Sequence, residues 1–440
     1  MKKNYSDAEI KAIINENERL KKELSSMQKV LQSKRFRMAE KVANTYNALV
    51  PVGTVRRKCV YSMVAPIKMI KRKKNSRIKN NIERLIKNKK VVIVLHSIPW
   101  ETPLMQRPHH LAKCLADDND VLLIYFEPDE QLKKFRKINQ NLITVNSWDV
   151  VLNLKHDSKK KYYFFFNNVS NISLNLIKTI KQRKYRLVYE YIDEFHEDIS
   201  GSLINQLDVW RHLPKMKPAL VLASADKLFN DAVTHFDKSV VLLSKNAVNI
   251  DDFDYHAYAD TNVPIDFRAI IEEKKPIIGY YGALAPWLDY KIISEIVDKN
   301  LEYNFVFLGV NYQNALKNLD LSKKNIFYLG PKDYKDLPMY SCHFDCAIIP
   351  FKLGQIAKGT SPVKLFEYMA MGLPTVGTKD LNECKGYDYV YLAKDSKEFS
   401  KMIKIAVNAH QRNDVKEKLL NQAKDNSWSI RAKSIMERLK

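Results

Sequence analysis

The sequence predicts an α/β fold of two doubly wound, Rossmann-like domains, and three observations predict it. From Val91 onward short apolar runs alternate with helical segments, as parallel strands covered on both faces require. The alternation starts afresh at Ile277-Ile278-Gly279-Tyr280-Tyr281-Gly282, a strand that ends in a glycine pair. At 440 residues and 45% hydrophobic content, the chain is long enough for two or three domains with sizeable cores.

Ahead of these domains, Ile10, Ile13, Leu20, Leu24, Met27, Leu31 and Met38 follow a heptad spacing with charged residues between them. Residues 1–48 are therefore expected to form a coiled-coil helix, giving a homodimer or a partner-helix contact through residues 10–38. Asn17 falls on a core position, where a polar side chain fixes the register of a two-stranded parallel pair. Lys34 interrupts the seam. A solitary surface helix is the plainer alternative.

Residues 49–90 read as a basic linker. After Pro51-Val52-Gly53 come Arg56, Arg57, Lys58, Lys68, Lys71, Arg72, Lys73, Lys74, Arg77 and Lys79, interleaved with Val60, Tyr61, Ile67 and Ile70. Attraction of about 1 kcal/mol per near-surface cation would hold such a segment on an anionic membrane. The net charge of +23 also calls for an acidic partner. Nucleic acid is the rival, but no helix-turn-helix, RNP, KH or zinc pattern accompanies the tract.

The five cysteines, Cys59, Cys114, Cys342, Cys346 and Cys384, form neither a paired framework nor a zinc pattern, so reduced cytosolic thiols are expected. No signal-peptide core follows Met1-Lys2-Lys3, and runs such as Val91 to Leu95 fall far short of the roughly 20 residues that span a bilayer.

In the first domain, residues 91–250, strands are expected at Val91–His96, Val121–Phe126, Leu142–Val145, Tyr162–Phe166, Leu187–Ile192, Ala219–Leu222 and Val240–Leu243, with a helix over Leu104–Ala116. The second domain, residues 251–410, continues from Ile277 through Asn304–Leu308, Ile326–Leu329, Phe344–Ile349 and Thr375-Val376.

The richest stretch runs from Ser361 to Val376. Ser361 suits a helix N-cap and Pro362 the first helical position, so free amides of the first turn can face a phosphate. Lys364 and Glu367 share a face near that end. One can neutralise a diphosphate while the other accepts sugar or ribose hydroxyls, at roughly 1.5 to 3 kcal/mol per charged hydrogen bond. A solvated ion pair on an ordinary amphipathic helix is the plainer alternative.

This stretch resembles the donor-binding segment Pro-x-Lys-x-x-Glu-Tyr-x-Ala-x-Gly-x-Pro of the group 1 glycosyltransferases with the GT-B fold. Asn246-Ala247-Val248-Asn249 is similar to their inter-domain stretch. Ser427-Trp428 with Arg431 is similar to their terminal helix, so residues 411–440 are expected to return to the first domain. The resemblance covers Val91 to Lys440. It implies a cleft between the domains, a nucleotide-diphosphate sugar as co-substrate (a UDP-sugar foremost), and no bound cofactor. It also implies that Glu367 holds the ribose while Lys364 and the helix amides hold the diphosphate. Many members carry a second glutamate where this chain has Gly359. Lys358 or Thr360 would then take over its contact, or the contact would be weaker.

Gly282, Thr360 and Ser361 complete the expected donor side. On the acceptor or diphosphate side stand Arg107, His109 and His110, in Gln106-Arg107-Pro108-His109-His110-Leu111-Ala112; a buried structural role is the plainer alternative for either histidine. Asp193 and His196 follow a predicted strand and are the candidate catalytic pair, Asp193 orienting a hydroxyl or steadying anomeric charge and His196 moving a proton. Asp193 as a mere helix cap is the plainer alternative. Tyr162 to Phe166 reads as core. Asp252-Phe253-Asp254 sits in the linker, so no metal site is assigned.

The expectation is a metal-independent glycosyltransferase, retaining as the resemblance implies, acting on a lipid-linked or glycan precursor of a capsule or teichuronic-type polymer at the inner face of the cell membrane. The alternatives are a degenerate GT-B scaffold, another GT-B activity such as an epimerase or polyol-phosphate transferase, and a nucleic-acid-binding arm.

Overall fold

The computed structural model describes residues 75–439 apart from 103–104, 128–134, 157–158, 170, 196–202 and 259–262. The heptad segment 10–38 and most of the basic tract lie outside the described residues. Ile78 to Lys440 form one compact unit.

The first sheet has eight strands. They are β1 (Val91–His96), β2 (Val121–Phe126), β3 (Phe135–Lys137), β4 (Leu142–Val145), β5 (Lys160–Phe166), β6 (Arg186–Tyr191), β7 (Leu220–Ala223) and β8 (Val241–Leu243). Their order is β3-β4-β2-β1-β5-β6-β7-β8, and every pair is parallel except β3 with β4. Alternate residues of β1 feed opposite faces: Val92 and Val94 join one buried cluster, Ile93 and Leu95 the other. That two-sided burial is why β1 and β2 read as unbroken apolar runs.

A helix over residues 75–86 precedes β1. Ile78, Ile82 and Ile86, one helical turn apart, are buried against Val92 and Val94. The expected linker to residue 90 therefore stops short, because this isoleucine stripe, set among lysines, belongs to the first core.

The second sheet contains β9 (Ile277–Tyr281), β10 (Asn304–Leu308), β11 (Ile326–Tyr328), β12 (Cys346–Ile349), β13 (Thr375–Thr378) and β14 (Val390–Ala393), all parallel, in the order β11-β10-β9-β12-β13-β14. β12 begins two residues later than expected because Phe344 packs its ring over Gly279, where a Cβ would stand 2.0 Å from it.

The end of the chain divides its loyalties. Helix Asn413–Asp425 stays with the second core through Val415, Leu419 and Ala423, which corrects the expectation that all of 411–440 returns. Only helix Trp428–Leu439 crosses back, burying Trp428, Ile435 and Leu439 in the first domain. Its crossing is tied to the other inter-domain segment: Val248 N donates to Asn426 O (3.1 Å) and Trp428 N to Val248 O (3.0 Å).

Candidate active site

Ligands of open parallel sheets bind beyond the carboxyl ends of the strands. Here a cavity of about 420 Å³ lies at those ends, bordered by Gln106, Asn168 and Asp193 from the first domain and by Gly282, Tyr334, Thr360, Lys364 and Glu367 from the second. Asn168 follows β5, Asp193 follows β6, Gly282 follows β9 and Gly309 follows β10.

Gly282 turns the chain away from β9 with φ +131, and its N–H donates to Leu308 O at 2.9 Å. Gly309 has φ +143 and packs on that turn so closely that a Cβ would stand 1.8 Å from Gly282 O. Two backbones thus meet where side chains would hold them apart.

The helix expected on the donor side is Val363–Ala370, with Pro362 as its N-cap at φ −74 and ψ 120. Ser361 is consequently not the cap. Its Oγ accepts from Asn246 N at 3.2 Å and its carbonyl accepts from Asn246 Nδ2, so Ser361 ties the helix start to the inter-domain segment. Thr360 borders the cavity, but its hydroxyl donates to Ile356 O at 2.6 Å.

Lys364 and Glu367 lie on the same helix and both face the cavity. Burial lowers the Lys364 ammonium to about 8, with the Glu367 charge acting in the opposite direction. Its Nζ stands 5.3 Å from the ring centroids of Tyr280 and Phe351. Burial likewise raises the Glu367 carboxyl to about 7, against a hydrogen bond donated by Tyr334 Oη to Oε1 at 2.9 Å. A cation and a carboxylate held this far from water are poised for a ligand that replaces the lost hydration.

Across the cavity, burial raises Asp193 to about 6. Asn168 Nδ2 donates to its Oδ2 at 3.1 Å, and Asn167 Oδ1 accepts from Ile192 N at 2.9 Å and Asp193 N at 3.3 Å. Asn167 and Asn168 escaped the sequence reading. Their one signal is a polar pair directly after the aromatic run Tyr162 to Phe166, which is itself fully buried core. His196 lies outside the described residues.

The three residues expected on the acceptor side do not border the cavity. Arg107 is 3% exposed, and its Nε donates to Glu190 Oε2 at 2.8 Å, Nη1 to Asn246 Oδ1 at 3.2 Å and Nη2 to Ser244 Oγ at 3.1 Å. It holds the end of β6 to the inter-domain segment, and its burial keeps it away from a phosphate in the cavity. His109 lies at the third position of helix Arg107–Ala116, where Nδ1 accepts from Gln106 N (3.2 Å) and Nε2 donates to Pro99 O (3.1 Å). Both nitrogens are thereby used, and burial lowers its proton affinity. His110 stacks on Trp428 at 5.2 Å and meets Tyr334 edge-on at 5.4 Å, and burial lowers it to about 3. It is neutral packing between the domains.

Tyr334, unremarked in the sequence, thus touches both His110 and Glu367.

The two sheets with a cavity at their strand ends give the fold of the GT-B proteins, and residues 275–408 match the family described as "Glycosyl transferases group 1". A curated relative, the Bacillus subtilis (strain 168) protein TuaH, described as a teichuronic acid biosynthesis glycosyltransferase, is 28% identical over 177 residues, which is 39% of this chain and 45% of the relative. The matched part thus spans less than half of that relative's length. Among solved structures, sucrose-phosphate synthase from Thermosynechococcus elongatus superposes with a TM-score of 0.59 at 11% identity, covering 79% of this chain and 97% of its own. The E. coli trehalose-6-phosphate protein bound with UDP-2-fluoro glucose gives 0.57 at 12% identity, covering 79% and 98%. At such identities the likeness is one of fold.

Proposed function

We propose that the protein transfers a sugar from a nucleotide-diphosphate sugar, a UDP-sugar foremost, to a hydroxyl of a cell-surface glycan precursor. The observation that carries this reading is the pairing of Lys364 and Glu367 on one helix with Asp193 across a cavity at the strand ends. Lys364 and the amides of the first helical turn would take the diphosphate, and Glu367 the ribose hydroxyls. The anomeric carbon–phosphate oxygen bond breaks and a bond to the acceptor oxygen forms, with the nucleoside diphosphate as leaving group and the acceptor's proton passing to Asp193 or to that leaving group. Lys364 offsets the charge that develops on it, in a transfer proposed to be retaining and metal-independent. Asp193 takes the acceptor's proton or steadies positive charge at the anomeric carbon. The UDP-2-fluoro glucose in one structural neighbour and the teichuronic description of the curated relative support the choice of donor and product class.

Calorimetric titration of the full chain with UDP, GDP and CDP tests the donor site. Selective binding lost in Glu367→Ala supports it, and sugar release in the presence of EDTA tests metal independence. Binding without turnover would favour the scaffold alternative.

The basic tract is proposed to hold the protein on the anionic cytoplasmic face of the membrane; among the described residues no helix is long and apolar enough to cross one. Deletion of residues 1–74 tests this, since Ile78 must stay for the core. Retained sedimentation with phosphatidylglycerol vesicles would refute it. The heptad segment is proposed to pair two copies or bind a partner helix, which the mass of the same deletion variant in solution reads directly.

A further inference from the structure

Gly359 ends the helix Gln355–Gly359, between Ile356 and Thr360, both of which border the cavity. A Cβ added there would stand 2.4 Å from Oε1 and 3.1 Å from Cδ of Glu194. Glu194 comes from the opposite domain, one residue after Asp193. Its carboxylate is also gripped by Lys227 Nζ, in helix Asp226–His235. The side-chain space of position 359 is therefore filled by a carboxylate from the facing domain.

The helix that carries Lys227 is itself fixed to the second domain. Glu383 is 2% exposed, and its Oε1 accepts from Asp226 N at 2.7 Å at the start of that helix. Lys245 Nζ lies 2.8 Å from Glu383 Oε2 and 2.7 Å from Asp226 Oδ2. Gly359, Glu194, Lys227, Asp226 and Glu383 thus form one chain of contacts beside the cavity.

We infer that Glu194 is a positioning residue for the transfer proposed above, and the inference rests on that reading of the cavity. Asn167 and Asn168 hold Asp193 from the first domain. Glu194, about 3.8 Å along the chain, docks the same segment on the second domain. Asp193 is thereby set in height above Lys364 and Glu367, and a displacement of about 1 Å at a reacting group costs up to about 100-fold in rate. The atom facing position 359 is the far end of a flexible side chain, so a methyl there evicts the carboxylate without unfolding the protein.

The test uses the full chain with Gly359→Ala, Glu194→Ala, the double variant and Lys227→Met, read by kcat, by UDP calorimetry and by amide hydrogen exchange of residues 191–195. Each single change is expected to lower kcat by about 10- to 100-fold, to leave UDP affinity unchanged and to speed exchange in that segment. The double variant should be no worse than Glu194→Ala, because both changes empty one seat. Wild-type kcat and exchange in Gly359→Ala would overturn the inference, as would losses that multiply in the double variant. Wild-type protein that binds UDP but releases no sugar would instead overturn the transferase reading, and with it a positioning role for Glu194, while the exchange rates still separate an occupied seat from an empty one.

Discussion

Gly282 and Lys364 meet across the donor side of the cavity. A Cβ on Gly282 would stand 2.9 Å from Lys364 Cε and 3.1 Å from Nζ, so the ammonium rests where a side chain would otherwise be. The first strand of the second domain and helix Val363–Ala370 share one small volume, which a Cβ at 282 would crowd.

Gly282→Ala should therefore act twice. The φ of +131 imposes backbone strain of about 1–3 kcal/mol, and the methyl displaces Lys364. Urea unfolding should show the stability loss, and calorimetry should show UDP affinity falling further than Tm alone would explain.

The dependence of nucleotide binding on pH follows from two opposed shifts. Free Lys364 loses its proton above about 8, whereas a bound diphosphate holds that proton in place. UDP affinity should therefore fall as pH rises beyond 8, at up to about tenfold per unit. Glu367 gains a proton below about 7 and stops accepting from ribose hydroxyls, so affinity should also fall on the acid side. Calorimetry from pH 5 to 10 should show a maximum between about 7 and 8 that belongs to the coupled pair. Glu367→Gln should abolish the acid limb alone. The same carboxyl makes folding less favourable as pH rises from its ordinary 4.5 towards about 7, since the native state holds the extra proton in that window. The Tm advantage of Glu367→Gln should accordingly grow across it.

Asp193→Asn keeps the shape and removes the charge that the proposed role needs. Loss of kcat by about 10²- to 10⁴-fold with UDP affinity intact is expected. Because burial raises the Asp193 carboxyl to about 6, the variant should also melt higher than wild type above that pH, where the charged form carries its desolvation cost. Full activity in the variant would remove Asp193 from the mechanism.

Arg107→Met should behave as a folding lesion and not as a binding one. Glu190 is 0% exposed, and burial already raises its carboxyl against the pull of Arg107. Removing the guanidinium leaves that group unpaired, at about 3–5 kcal/mol. Adding Glu190→Gln should return part of the loss in a urea titration, and UDP affinity of the folded fraction should be near wild type.

What the sequence made legible tracks how completely each element is buried. β1, β2, β4 and β10 match their expected limits because every residue of a two-sided buried strand is under the same demand. β3, with the sequence Phe-Arg-Lys, is three partly or fully exposed residues on an edge and carries no apolar run; β14, Val-Tyr-Leu-Ala on the edge of the second sheet, does carry a short one, which went unassigned. At the site, Lys364, Glu367, Gly282 and Asp193 were legible because local spacing places them at an element's end. Arg107 misled for the opposite reason: its partner Glu190 is 83 residues away, and no local pattern announces the pair. Tyr334 and Asn168 matter through contacts across 33 and 25 residues and were equally hidden.

The backbone bonds that join Val248 to Asn426 and Trp428 make the two inter-domain crossings a double-stranded pivot. Two crossings bonded side by side resist sliding past one another, so any change in the angle between the halves would turn about a line through Val248 and Ser427. Everything far from that line moves most for a given angle and everything beside it hardly moves. Distance labels for following a swing therefore belong at the far rim of the molecule. Labels beside Asn246 or Ser427 would register little even when the two halves part widely.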